Sequence, residues 1–355
     1  MDPVTPSLTR GGGNGALLEH VNLNVPNRAA AHAFYVGALG GAVHPLGTRR
    51  HQLHVNLGVS QVHAPFADTP PDGVGEAVRD LEGGSDSLRE ARVEDGSPYV
   101  GEAQVLAGVV RLWVRSASRS LARLRAARAQ PALAGTQFAF AKDESARAGE
   151  LGCPGPVVRV TCPWGNAFEL VEAPKDVREA LEPSAIGAHP GGGGDECLAL
   201  AGLELPVRPG VARKLAAMYG DVFGMEVFEA AGLESAQAAA WSVVVGPYQR
   251  LTFVESADAP DPREYWTSRR TRGWHLCVYV RGWAEARERA TAAGVAKPSD
   301  RFAALDAPLE PVQFRCTDLR APGGELLLSL EHEVRSLQTR MCPLLEGMEG
   351  RRADV

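Results

Sequence analysis

Leu18-Glu19-His20-Val21-Asn22-Leu23-Asn24-Val25 is the stretch whose reading decides the fold. From His20 onward polar and apolar side chains alternate, which is the period of a strand with one wet and one greasy face. A helical stretch follows from Arg28 to about Leu39, and Gly40-Gly41 ends it, because glycine accepts the left-handed backbone that closes a helix. Gln52 to Leu57 and Ser60 to Pro65 then alternate as strands again.

The same order recurs three more times, and a repeat of this kind outranks any single motif. The second copy opens at Val109-Val110-Arg111-Leu112-Trp113-Val114. Ser116 or Ser118 caps its helix, and Val157 to Thr161 and Ala167 to Glu172 close it. The third runs from Leu203 to Val207 through a helix at Val211 to Phe223, then Ala240 to Val245 and Arg250 to Glu255. The fourth starts at Trp274-His275-Leu276, has its helix at Trp283 to Ala293, and ends on Pro311 to Thr317 and Glu325 to Glu331.

Between the second and third copies lies a stretch with Pro-Lys-Asp, Glu-Pro-Ser and the run Gly191 to Gly194, which is linker chemistry. The expected organisation is a disordered N-terminus (1–15), a first domain (16–173) and a linker (174–196). A second domain (197–336) and a tail (337–355) follow. The first domain comprises modules 16–66 and 104–173 around an irregular acidic insertion (67–103).

The fold class is α+β, four βαβββ modules in two tandem domains. This arrangement resembles the vicinal-oxygen-chelate superfamily of glyoxalases, bleomycin resistance proteins and extradiol dioxygenases, in a four-module branch, over nearly all of residues 16–336. Leu18 to Val25 with Ala33-Phe34-Tyr35 carry the resemblance. So does Cys162-Pro163-Trp164-Gly165-Asn166-Ala167-Phe168-Glu169-Leu170, which is similar to the family's closing turn and strand. Ala321-Pro322-Gly323-Gly324 repeats that turn, and the ending Glu331-His332-Glu333-Val334-Arg335-Ser336 is similar to a motif of a four-module bacterial branch.

Alternation tests the cleft independently. Val21, Leu23 and Val25 share one face; His20, Asn22 and Asn24 share the other. His54 with Gln52 and Asn56, and His63 with Gln61, fall on polar faces in the next strands. Imidazoles and amides without lysine suit an enclosed polar cleft better than a solvated sheet. The resemblance implies metal ligands on first and last strands, here His20, His63 and Glu169, with Val109 at the vacant corner. His54 replaces His63 if the register differs, and Glu169 doubles as the catalytic base. Neutral imidazole and carboxylate suit a divalent transition metal: Fe, Mn, Ni, Zn or Co. Asn22, His54, Gln61 and Arg111 are the expected substrate contacts, Arg111 as a grip for an anion.

In the second domain His275 aligns with His20, but Gly202, Thr252 and Leu328 stand at the other corners, and Glu331 and Glu333 are expected in solvent. No metal centre is expected there. A lyase or dioxygenase acting on a small oxygenated molecule is the implied function; a binding or scaffolding protein without turnover is the alternative.

Composition narrows the remaining choices. The chain has 355 residues, 45% hydrophobic, and a formal net charge of −6, so it carries no basic footprint for nucleic acid. Six cysteines without a C-x-x-C pair argue against a zinc ribbon and a disulfide framework. No run of about 18 apolar residues exists, and the N-terminus lacks a secretory signal. A small-molecule partner, a homodimer and a cytoplasmic location are compatible expectations, with a plastid or mitochondrion as the alternative compartment.

Overall fold

The computed structural model describes residues 13–48, 52–65, 103–143, 157–182, 189–230, 239–263, 275–297, 312–339 and 342–344. The expected insertion lies almost wholly outside them, as do most of the two termini.

Most strands form where alternation placed them, and short strands that it did not place are added in the first three modules. The first module has β1 (Gly15–Asn22), β2 (Ala42–Val43), β3 (Gln52–Leu57) and β4 (Ser60–Pro65). The second has β5 (Val109–Val114), β6 (Ala139–Asp143), β7 (Val157–Thr161) and β8 (Ala167–Glu172). The third has β9 (Cys197–Val207), β10 (Val227–Glu229), β11 (Ala240–Gly246) and β12 (Gln249–Glu255). The fourth has β13 (His275–Val280), β14 (Gln313–Arg320) and β15 (Leu326–Ser336).

Helix α1 (Arg28–Ala31) is capped by the Asn27 side chain, which accepts from the Ala30 N–H at 2.8 Å, and it widens into a π-helix over His32–Ala38. Helix α2 (Ala117–Ala127) is capped by Ser116. Helix α3 (Lys175–Leu181) begins the linker. Helix α4 (Ala212–Met218) again widens into a π-helix, over Tyr219–Phe223, and α5 (Trp283–Ala292) belongs to the fourth module.

The sheets cross the linker. One has the order β14-β15-β13-β1-β4-β3-β2, the other β10-β11-β12-β9-β5-β8-β7-β6. First and fourth modules therefore join through antiparallel β1 and β13, second and third through β5 and β9. Sequence-adjacent modules meet instead through their helices, the π-helix His32–Ala38 on α2 and the π-helix Tyr219–Phe223 on α5. One apolar cluster runs through both halves, from Leu18, Val21 and Val55 to Leu112, Leu203 and Leu330. A turn at Gly58 (φ +70°) closes β3–β4 directly over β9, where a Cβ would lie 1.8 Å from the Leu198 carbonyl oxygen.

Leu18 and Val21 both enter the core although three residues apart, which strict alternation forbids. A bulge between Leu18 and His20 supplies the extra residue. Glu19 is thereby left on the polar side beside His20.

Candidate metal centre

The polar face of the first sheet is assembled by register. His20 lies opposite Gln61 and Cys277, Asn22 opposite His63 and His275, and Cys277 opposite Glu333. Paired residues share a face, so His20, His63, His275 and Glu333 all point to one side. His20, His63 and His275 each offer a nitrogen, and these atoms lie within 4.8 Å of one another. His20 Nε2 and His275 Nε2 are 2.9 Å apart, and His275 Nε2 is 3.5 Å from Glu333 Oε2. The rings of His54, His63 and His20 stack in a column, with centroids 3.6 and 3.7 Å apart.

Charge around the cluster is tightly paired. Arg315 donates to Glu333 at 2.6 Å and to Glu331 at 3.3 Å, and Arg335 bridges Glu333, Glu19 and the Tyr279 hydroxyl. Burial alone would raise the Glu333 carboxyl, but Arg315 and Arg335, with His20 and His275, hold it well below the usual range. Glu19 behaves alike: burial opposes ionisation, and His20, Arg335 and His189 more than offset it. His63 is pushed far down, by burial first and then by the neighbouring His20, His54 and His275, so it is a neutral imidazole at pH 7.

The donor set suits a divalent ion. Neutral imidazoles and a carboxylate are its usual ligands, and 2.9 Å between two nitrogens matches adjacent ligands each about 2.1 Å from one centre. The two guanidiniums on Glu333 compete for its oxygens, so the three histidines are the firmer part of the set.

The sequence expectations distribute as follows. His20, His63, Asn22, His54 and Gln61 share the face of the first sheet. Glu169 does not join them: it lies in the second sheet opposite Arg111. Arg111 donates to Glu169 at 2.8 Å and to Glu204 at 2.7 Å. Its guanidinium is thus committed to two carboxylates, which outweigh the cost of burial and hold it protonated. The grouping of His20 and His63 with Glu169 is corrected for a topological reason: β1 pairs with β13 rather than β5.

The expectation that Glu331 and Glu333 face solvent is also corrected. Strand β15 runs on to Ser336, so these carboxylates are 0% and 3% exposed and fall beneath Arg315. By register Glu333 corresponds to Glu169, where the sequence reading placed Leu328.

Glu19 and His189 were not singled out from sequence; the adjacency of Glu19 to His20 was the available signal. The Cys162–Leu170 motif proves architectural. Asn166 Oδ1 accepts from the Leu106 N–H at 2.8 Å, its Nδ2 donates to the Gln104 carbonyl at 2.7 Å, and Cys162 Sγ accepts from the Asn166 N–H.

The sequence matches no protein-family model and no curated protein. Among solved structures the chain is similar to glyoxalase I from Zea mays, at 8% identity, covering 91% of this chain and 93% of that one, with a TM-score of 0.51. A variant of that enzyme matches with the same values. A 4-hydroxymandelate synthase variant from Streptomyces coelicolor is 15% identical over 96% and 100% of the two chains, at a TM-score of 0.27.

The chain therefore shares the fold of glyoxalase I from Zea mays, an α+β arrangement that here has four modules in two sheets. Within it, this chain is a four-module protein with one histidine-rich face and one without histidine at the equivalent corners. No helix among the described residues is long and apolar enough to cross a membrane.

Proposed function

We propose that the chain is a metal-dependent protein of the glyoxalase/dioxygenase type, acting on a small oxygenated molecule at the centre between its first and fourth modules. His20, His63 and His275 are the proposed ligands, with Glu333 as the carboxylate at the fourth corner. The observation that carries this reading is the convergence of three buried imidazoles, from separate strands, within 4.8 Å. A lone buried histidine is commonplace; three from separate strands with their nitrogens turned together put imidazole donors where one ion could be shared among them.

A divalent ion bound there would act as a Lewis acid on paired oxygens, the chemistry common to lyase and dioxygenase readings. The residues around it do the remaining work. Arg315 and Arg335 hold the Glu333 carboxylate ionised, and Asn22, between His63 and His275 in the register, supplies an amide to a bound oxygen. Arg335, whose own carboxylate partners are buried with it, keeps net charge near the centre low.

Metal analysis of the purified protein tests this. About one transition-metal ion per chain is expected, lost in His20→Ala and retained in Glu169→Ala. A metal-free chain that also fails to bind Zn(II), Co(II) or Fe(II) on reconstitution would end the enzyme reading. Oxygen uptake with catechols against turnover of a glutathione hemithioacetal then separates dioxygenase from lyase.

A non-catalytic role has one observation in its favour. His20 is 0% and His275 6% exposed, so the cluster is closed in this conformation and could serve as a buried polar staple between the modules. Metal-independent stability, unchanged by chelators, would support that reading.

A further inference from the structure

Resting on the metal reading above, we infer that the linker segment 189–193 orients the two N-terminal ligands, His20 and His63, through two separate hydrogen-bond relays. Its role is to fix which nitrogen of each ring carries the proton and which is left for the ion.

The first relay is directional because its far end is backbone. Asn56 Nδ2 donates to the carbonyls of Pro190 at 3.0 Å and Gly192 at 2.7 Å, which can only accept. The amide is therefore set with Oδ1 turned the other way, and that oxygen accepts from Gln61 Nε2 at 2.7 Å. Gln61 Oε1 is then the acceptor that faces His63 Nε2 at 2.8 Å, so His63 carries its proton on Nε2 and presents Nδ1 as the free lone pair. Each amide is locked by the one behind it. The backbone of the turn is pinned in turn, since the Gly58 N–H donates to Gly193 O at 2.7 Å.

The second relay runs through a carboxylate. His20 Nδ1 lies 2.5 Å from Glu19 Oε2; an ionised carboxylate only accepts, so the proton sits on Nδ1 and Nε2 is left to face the centre. The other oxygen, Glu19 Oε1, lies 3.5 Å from His189 Nε2, and His189 also meets the Val59 carbonyl at 3.1 Å.

The second sheet supplies the contrast. Its strand β9 has a register shift at the same place as β1, between Gly202 and Leu200. The residue in the Glu19 position is Ala201, and the one in the His20 position is Gly202. The carboxylate occurs where there is a histidine to orient, and is lacking where there is none.

The test begins with the metal-free wild-type chain, by two-bond ¹⁵N–¹H NMR of its imidazoles. His63 should be the Nε2–H tautomer and His20 the Nδ1–H tautomer; the opposite tautomer at either ring overturns that relay without reference to any metal. Asn56→Leu should release Gln61 to turn and mix the His63 tautomers while His20 is unchanged. Glu19→Leu should do the reverse, and Glu19→Gln, which keeps an acceptor, should restore His20. On the metal side, Asn56→Leu and Glu19→Leu should each weaken Co(II) binding by about 10–100-fold, read from the visible spectrum.

If wild type binds Co(II) and both variants bind it equally well, the orienting role falls and the metal reading stands. If wild type binds no metal while the tautomers are as stated, the metal reading falls and with it the purpose of the relays. Should the variants fail to fold, the wild-type tautomers still decide the relays.

Discussion

The two sheets are built on one plan and filled with opposite chemistry. Registers make their corners correspond: His20 with Gly202, His63 with Thr252, His275 with Val109, and Glu333 with Glu169. In the first sheet the corners carry three imidazoles and a carboxylate. In the second, the carboxylate at the equivalent position is neutralised by Arg111, which also binds Glu204, and Ser242 and Thr252 bond to each other at 2.8 Å. Both faces are polar, yet only one gathers lone pairs that a proton or a metal must satisfy. Polarity alone therefore does not mark a site; the type and mutual direction of the donors do.

The largest expected difference between the sheets is in metal affinity. His275→Ala should abolish stoichiometric binding, and Glu333→Gln should weaken it by upward of about 100-fold, a larger loss than for a group behind a ligand. Glu169→Gln should leave it unchanged, by isothermal titration with Zn(II). Equal losses at Glu333 and Glu169 would erase the distinction drawn here.

Next comes stability. Arg335→Met takes from Glu333 one of its two arginines and from Glu19 its arginine, carboxylates that are 4% and 3% exposed, and should cost about 3 kcal/mol in urea denaturation. Arg111→Met strands Glu169 and Glu204, whose side chains are 16% and 24% exposed and can rehydrate. About 1 kcal/mol is expected there. A reversed order would mean that the first sheet tolerates uncompensated charge.

The last effect, smaller than that of Arg335→Met, concerns acid. His332 sits on the other face of β15, its Nδ1–H donating to the Leu330 carbonyl at 2.7 Å and its Nε2 accepting from the Tyr219 hydroxyl of the third module. Burial pushes it down to about 4, and His189 likewise to about 4. A lowered histidine is neutral in the fold, so between about 4 and 6.5 the unfolded chain binds more protons. Their contribution is complete above about pH 6.5 and shrinks as the pH falls toward 4, by about 2 kcal/mol per group between pH 7 and 5. The depressed carboxylates Glu19 and Glu333 act in a lower window, below their unfolded values near 4.5. Replacing His332 with Gln should flatten the upper window; an unaltered profile would place its cause elsewhere.

Much of this was legible in the residues. Strands β3 to β5, β7 and β8 fall where alternation put them, and the polar face of His20, Asn22, His54, Gln61 and His63 is a direct reading of period two. The end of β15 was harder to read: Glu331, Glu333 and Arg335 resemble a solvated strand end until Arg315 of β14 is seen paired with the two carboxylates. Glu19 was obscured by the bulge, since a register shift exchanges faces without leaving a local signature.

What the sequence determined by itself was the module: its strands, its helices, its core face and the histidines on the opposite face, because periodicity and capping are local. Which modules share a sheet was decided only in three dimensions. Every module leaves the free edge of its first strand open, and such edges pair by backbone hydrogen bonds that any sequence can supply. The linker's extra length adds little to the closure cost, so it does not oblige neighbours in sequence to pair. With β1 beside β13, His275 and Glu333 arrive next to His20 and His63, and Glu169 is left to Arg111 in the other sheet.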